Sequence, residues 1–217
     1  MNTMEMNPEL GHIDVTELKK VETLAIQSMV IKESNLNDEL NDDQFNLGHI
    51  PMFDFEDVTI DQVHDVIDEY LDFAFIFRSS ENSYHVYSTE IISLQELVEL
   101  KDQIELDDDD HNVIGLEKGC MALRLTDKGD KPRPSFVEFY QSWDCNLKEV
   151  THSYPHLTAL ADLHEIDKAY TMLDNCKTVG DKTRVVVYET YENNHDVDDL
   201  MSGKEVVERR SGDSDGF

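Results

Sequence analysis

Between Pro51 and Tyr87 the pattern of apolar and polar positions changes period twice, and each change marks a new element. Met52-Phe53-Asp54-Phe55-Glu56 alternates with period two, which predicts a strand that carries Asp54 and Glu56 on one face, because successive strand side chains point to opposite faces. Val63, Val66, Ile67, Tyr70 and Leu71 then recur at helical spacing behind Thr59, which suits an N-cap, with Asp61 and Gln62 in the first turn. Phe73-Ala74-Phe75-Ile76-Phe77 is a continuous apolar run. It passes through Arg78-Ser79-Ser80 and a Glu81-Asn82 turn into Ser83-Tyr84-His85-Val86-Tyr87, a β-hairpin that puts Ser83 and His85 on one face.

The remaining pattern is read outward from this stretch. Residues 1–18 have no sustained period and read as a loose arm. Lys19 to Lys32 reads as a first strand, with helix the alternative for its first half, and Glu33 to Asp43, rich in Asn and Asp, as a solvated loop. Ser93 caps a second helix carrying Leu94, Leu97, Val98 and Lys101. Val113–Leu116, Cys120–Thr126 and Ser135–Tyr140 read as strands, and the Gly- and Pro-containing turn Asp127 to Pro134 between the last two is the clearly basic spot of the chain. Leu157 to Leu173 is predicted to be one long amphipathic helix, with Leu160, Leu163, Ile166, Ala169, Tyr170 and Leu173 apolar, starting after Tyr154-Pro155. Thr183 to Thr190 should be a last strand, and 193–217 an acidic tail without apolar periodicity. Residues 19–192 therefore form one α+β domain with packed helices on a mostly antiparallel sheet.

Composition changes this picture in two ways. The 217 residues include 48 acidic and 18 basic ones, a formal net charge of −30. That charge disfavours a broad nucleic-acid-binding surface at ordinary salt and fits concentrated salt, where a Debye length of about 3 Å at 1 M screens self-repulsion. With 39% hydrophobic residues in strand-like runs the chain is not read as disordered. Cys120, Cys145 and Cys176 are few, odd in number and far apart, which argues for a reducing, cytoplasmic setting rather than a disulfide framework. The chain has no run of about eighteen apolar residues and no basic start with an apolar h-region, so no membrane association is expected.

Asp54-Phe55-Glu56, then Ser83-Tyr84-His85 about thirty residues on, then the hydrophobic-acid step Leu106-Asp107, resemble the three signature motifs of the archaeo-eukaryotic primase superfamily. The likeness is to the small primase-polymerases of archaeal plasmids and viruses, covers roughly residues 50–130, and with the charge points to a halophilic host. The resemblance implies an RRM-like catalytic core and a metal-dependent nucleotidyltransferase of DNA replication. Asp54, Glu56 and one acid of the run Asp107 to Asp110, best Asp107, would hold Mg²⁺ or Mn²⁺. His85, with Ser83 beside it, would take the nucleotide phosphates, assisted by Arg124 and Lys128.

Those residue types suit that chemistry. Two hard cations on carboxylates offset triphosphate charge and activate a 3′-hydroxyl, and a His and an Arg hold the triphosphate in line. The implied partners are nucleoside triphosphates, a single-stranded nucleic acid template and a helicase or other replication protein. Two other readings stand beside this one: an inactive relative that binds nucleic acid or a replication partner, and a nuclease using the same carboxylates. Pro51, unusual in a strand leading to such a motif, and the absence of a Cys-rich zinc element depart from the family. Cys145, His152, His156, His164 and Cys176 match no standard zinc spacing. His64 reads as a boundary residue, and Trp143, Phe139 and Tyr140 read first as packing residues, with base stacking the alternative.

Overall fold

The hairpin at Phe73–Tyr87 is the centre of an antiparallel four-stranded sheet whose two faces are each covered by an apolar cluster. In the structure, a computed structural model, residues 18–32, 46–104, 119–128, 131–183, 185–193 and 210–211 are described. In chain order the elements are β1 (Leu18–Gln27), β2 (Met29–Ile31), β3 (Asn46–His49) and β4 (Met52–Phe55). Helix α1 (Ile60–Val66) runs on as a π turn over Ile67–Leu71 and is followed by β5 (Phe73–Ser80), β6 (Ser83–Tyr87) and α2 (Leu94–Gln103). Then come β7 (Ala122–Arg124), β8 (Ser135–Gln141), β9 (Thr151–Ser153), α3 (Tyr154–His164), α4 (Asp167–Asn175), β10 (Lys177–Val179), β11 (Val185–Asn193) and β12 (Arg210–Ser211). The architecture is α+β with mostly antiparallel sheets. The expected strand at Val113–Leu116 and the expected arm and loop at 1–17 and 33–45 lie outside the described residues.

The central sheet has the order β4-β6-β5-β8 and a second one the order β12-β11-β1-β7, all antiparallel. Two small pairs complete the set, β2 with β3 antiparallel and β9 with β10 parallel. Strand β5 is buried on both faces, which explains its unbroken apolar run. Phe73, Phe75 and Phe77 join Met52 and Tyr87 in a core shared with Leu123 of β7 and with Leu157, Leu160, Ala169 and Met172 of the two C-terminal helices. Ala74 and Ile76 face the other way, with Phe53, Phe55, Tyr84 and Val86, against Val63, Val66, Ile67 and Leu71.

Local chemistry sets the ends of α1 and α2. Thr59 and Ser93 each form a capping box, with Gln62 and Glu96 respectively, so orphan N–H groups at both helix starts are satisfied reciprocally. His64 is partly buried, its Nε2 2.9 Å from Glu138 Oε1 and its ring stacked 4.1 Å from Tyr140.

The single strand expected over Lys19–Lys32 is two strands in different sheets. The break is at Ser28, which is fully buried, accepts the Met121 N–H on its hydroxyl and meets His49 Nδ1 at 3.1 Å. The single helix expected over Leu157–Leu173 is likewise two helices. Glu165 adopts a left-handed conformation (φ 53°) that ends α3, and Ile166 turns inward to 3% exposure before α4 begins. The break shifts the phase of the apolar face, so Leu163 and Tyr170 are exposed and Met172 is buried. Pro155, expected ahead of the helix, sits in its first turn, where its missing N–H costs nothing. Within the expected tail, Arg210 pairs with Glu189 of β11.

Three buried histidines tie the layers together. His156 donates from Nε2 to the Gln27 carbonyl (2.7 Å) and meets the Ser153 hydroxyl at Nδ1 (2.6 Å). His152 donates to the Leu147 carbonyl and meets Thr89 in the same way, and His49 meets Ser28. Burial pulls all three below the ordinary imidazole value, His156 to about 4. Because the unfolded chain takes up these protons first, their contribution is present above about pH 6.5 and is lost as pH falls toward about 4. Urea unfolding at pH 7 and pH 5 should therefore show a drop of about 2 kcal/mol from His156 alone, and His156→Gln should flatten the slope. Equal stability at both pH values in the natural chain would contradict this.

Candidate functional site

The antiparallel register of β4 and β6 places Asp54 directly opposite His85. Asp54 Oδ1 lies 3.6 Å from His85 Nε2, and the imidazole is 2% exposed while the carboxylate is 23% exposed. On the far side of β6, Phe77 of β5 is the partner of His85. Alternation puts Ser83, His85 and Tyr87 on the same face, and all three are buried. A buried imidazole backed by aromatic rings and facing a partly exposed carboxylate is a directed pair, held by sheet hydrogen bonds rather than by loop conformation.

Arg124 reaches this face from the other large sheet. Its Nη2 donates to the Ser79 carbonyl at the end of β5 (2.6 Å), and its Nη1 to the carbonyls of Thr126 (3.2 Å) and Pro132. Three of the five guanidinium N–H groups are thus spent on main-chain carbonyls that join β5 to the turn after β7. Burial pulls Arg124 below its ordinary value, while Asp54, Tyr87 and Asp127 hold it up. Burial, and after it the Asp54 carboxylate, pushes the Tyr87 phenol far above its ordinary value, with Arg124 opposing. Tyr87 therefore keeps its proton, and Asp54, Tyr87 and Arg124 lie within electrostatic reach of one another.

Glu56 follows the end of β4 and is half exposed, its Oε1 3.7 Å from Lys131 Nζ. Lys131 and Lys128 exchange backbone hydrogen bonds of 2.9 Å across the turn. The Lys131 ammonium lies against Glu56. Asp107 and the run to Asp110 lie outside the described residues. The structure thus brings together Asp54, His85 and Arg124, with Glu56 joined to them through the Lys131 turn. Sequence reasoning passed over Tyr87 and Lys131. Tyr87 continues the period-two row Ser83, His85, and Lys131 belongs to the basic turn already singled out.

Other expectations resolve differently. Trp143, read first as a packing residue, is 95% exposed on the turn after β8. Phe139 packs between Phe75 and Phe73, and the Tyr140 hydroxyl donates to Asp68. His152 and His156 are engaged in the buried hydrogen bonds above, and among the described residues no three His, Cys, Asp or Glu side chains are gathered to hold a metal. An open cleft lined by Lys32, Leu47, Tyr154 and Thr178 through Asp181 contains none of the site residues. We place the candidate chemistry at the β4 edge, where carboxylates, imidazole and guanidinium meet, because that cleft offers no comparable set. Asp54 and Glu56 are hard oxygen donors suited to Mg²⁺ or Mn²⁺. No helix among the described residues is long and apolar enough to cross a membrane. No family model, curated protein or solved structure matches the chain.

Arg124→Met should destabilise the fold by about 1–3 kcal/mol, since the partly buried Ser79 carbonyl loses its donor. Trp143→Ala should change stability by less than about 0.5 kcal/mol. Urea titrations of the two variants check both; a neutral Arg124→Met would mean that the guanidinium does not clamp the turn.

Proposed function

We propose that the edge formed by Asp54, Glu56, His85 and Arg124 is a metal-dependent nucleotidyl-transfer site of the primase-polymerase type, working in replication of a plasmid, virus or archaeal host. The observation that carries this reading is the cross-strand pairing of Asp54 with His85, with Arg124 within electrostatic reach of the same carboxylate. Two motifs thirty residues apart in the chain become neighbours. The run β4-α1-β5-β6-α2, followed by β8 after β7 has joined the other sheet, supports the reading, since within the central sheet it follows the β-α-β-β-α-β plan of ferredoxin-like and RRM-like cores, with β6 inserted between β4 and β5. One departure is that the last strand lies beside β5, leaving β4 as an edge.

Asp54 and Glu56 would hold Mg²⁺ or Mn²⁺, with a third acid from the run Asp107 to Asp110. Such a cation offsets triphosphate charge and lowers the pKa of an attacking hydroxyl. His85, fixed by burial and by its partner strand, presents Nε2 at the carboxylate edge, where it can orient a phosphate oxygen. Arg124 acts mainly as a fixed positive charge, because three of its N–H groups serve the main chain. Ser83 supports the row from one end and Tyr87, protonated, from the other. Lys128 and Lys131 supply cations at the rim. A nucleoside triphosphate, a single-stranded template and a replication partner such as a helicase are the partners this site calls for.

The commitments of Arg124 favour one second reading, an inactive relative that binds nucleic acid or a replication partner through the same edge. Strand synthesis separates the two. With Mn²⁺ or Mg²⁺, high salt, a single-stranded template and labelled nucleotides, the natural chain should make template-dependent product, and Asp54→Ala/Glu56→Ala should lose it by about 10²-fold or more while staying folded. Folded protein that binds template and makes no product moves the assignment to the binding module. Template degraded without nucleotide would make it a nuclease.

A further inference from the structure

The ten residues from Arg124 to Arg133 contain four of the 18 basic residues in a chain with 48 acidic ones. Two of those four bear on the acid pair: Lys131 lies against Glu56, and Arg124 is within electrostatic reach of Asp54. Lys131 does not reach Glu56 from a loose surface loop. Its backbone is paired both ways with Lys128, the Pro132 carbonyl accepts from Arg124, and the Arg133 N–H donates to the Asp127 carboxylate (2.5 Å). The Arg133 guanidinium in turn donates to the Leu163 carbonyl at the end of α3 (2.8 Å). The turn is anchored on both sides, and the Lys131 ammonium falls on Glu56.

As a stabilising contact this pair is weak, because both side chains are about half exposed. Its consequence is electrostatic. A bare divalent cation approaching Glu56 must compete with the Lys131 ammonium for its carboxylate. A triphosphate arriving with the cation reverses that balance: it supplies negative charge to offset the metal, and it gives the displaced ammonium a new partner. Metal and nucleotide binding are then positively coupled, and by linkage each strengthens the other equally.

We propose that Lys131 holds the place of a divalent cation on Glu56, so that metal and nucleoside triphosphate enter the site together instead of metal first. The proposal rests on the nucleotidyl-transfer reading of the same edge and specifies how that site is kept closed to metal alone.

The test measures free Mn²⁺ by electron paramagnetic resonance in about 0.5 M KCl, where diffuse attraction to the acidic surface is largely screened while contact pairs persist. The difference from Asp54→Asn/Glu56→Gln defines the share of Mn²⁺ bound at this site. In the natural chain that share should be weak with Mn²⁺ alone and tighten about tenfold or more with a non-hydrolysable nucleoside triphosphate analogue, within the usual range of coupling. Lys131→Met should bind Mn²⁺ alone about two- to fivefold tighter, the weight of an exposed ion pair, and gain less from nucleotide. Lys131→Arg should restore the natural behaviour. Mn²⁺ binding that needs Asp54 and Glu56 and is tightened by nucleotide, yet is unchanged or weaker in Lys131→Met, overturns this proposal alone. Mn²⁺ binding indifferent to both the acid pair and nucleotide removes the nucleotidyl-transfer reading and this proposal together.

Discussion

Burial of β5 on both faces is the constraint from which the rest of the structure follows. A strand with three phenylalanines on one side and Ala74 and Ile76 on the other cannot lie against water, so each face of the sheet must be covered. Helix α1 and its π turn cover one face; β7, α3 and α4 cover the other. On that second face Asp54, His85 and Tyr87 lie in rows fixed by strand alternation, and Arg124 comes within electrostatic reach of Asp54 and Tyr87 because β7 is part of the covering layer. The site is thus a by-product of how the core is closed, and its geometry is as rigid as the sheet.

Charge acts at two scales. Over the whole chain the excess of carboxylates is large, and concentrated salt is the setting that relieves it through screening of pairs beyond a few ångströms. Around Glu56 and Asp54 the balance is local, set by contacts of 3.7 Å to Lys131 and 3.6 Å to His85, of which the one to the buried His85 is shielded from salt more than the half-exposed one. The buried histidines add a third element: their neutral rings join β1, β9 and the segment after β6 through hydroxyls and carbonyls, which makes the layer contacts sensitive to acid.

The parts legible in the sequence are those with a sustained period or a local cap. Met52 to Glu56, the Val63–Leu71 row and the Phe73–Tyr87 hairpin each repeat often enough to fix an element, and Thr59 and Ser93 mark helix starts through side-chain chemistry alone. Strands of three or four residues such as β3, β9 and β10 have no period to read, and they form only because distant segments supply their partners. The breaks at Ser28 and Glu165 depend on tertiary hydrogen bonds and on one left-handed residue, neither visible in a hydropathy row. Asp54 and His85 were legible as motifs, but their mutual facing is a matter of register. That Lys131 lies against Glu56 is decided by how the paired turn is held. Trp143 shows the same limit, since a turn holds it outward beside two aromatic residues that do pack.

The most direct test of the central claim, that metal and nucleotide meet at the paired Asp54 and His85, is the broadening of histidine side-chain NMR signals by Mn²⁺ in the presence of a nucleoside triphosphate analogue. Of the nine histidines, His85, assigned with His85→Gln, should broaden most strongly. His152, which rests against Phe73 some four strand residues, or about 13 Å, from the Phe77 partner of His85, should broaden far less. A His85 signal that stays sharp while other histidines broaden would contradict the assignment of this edge as the functional site.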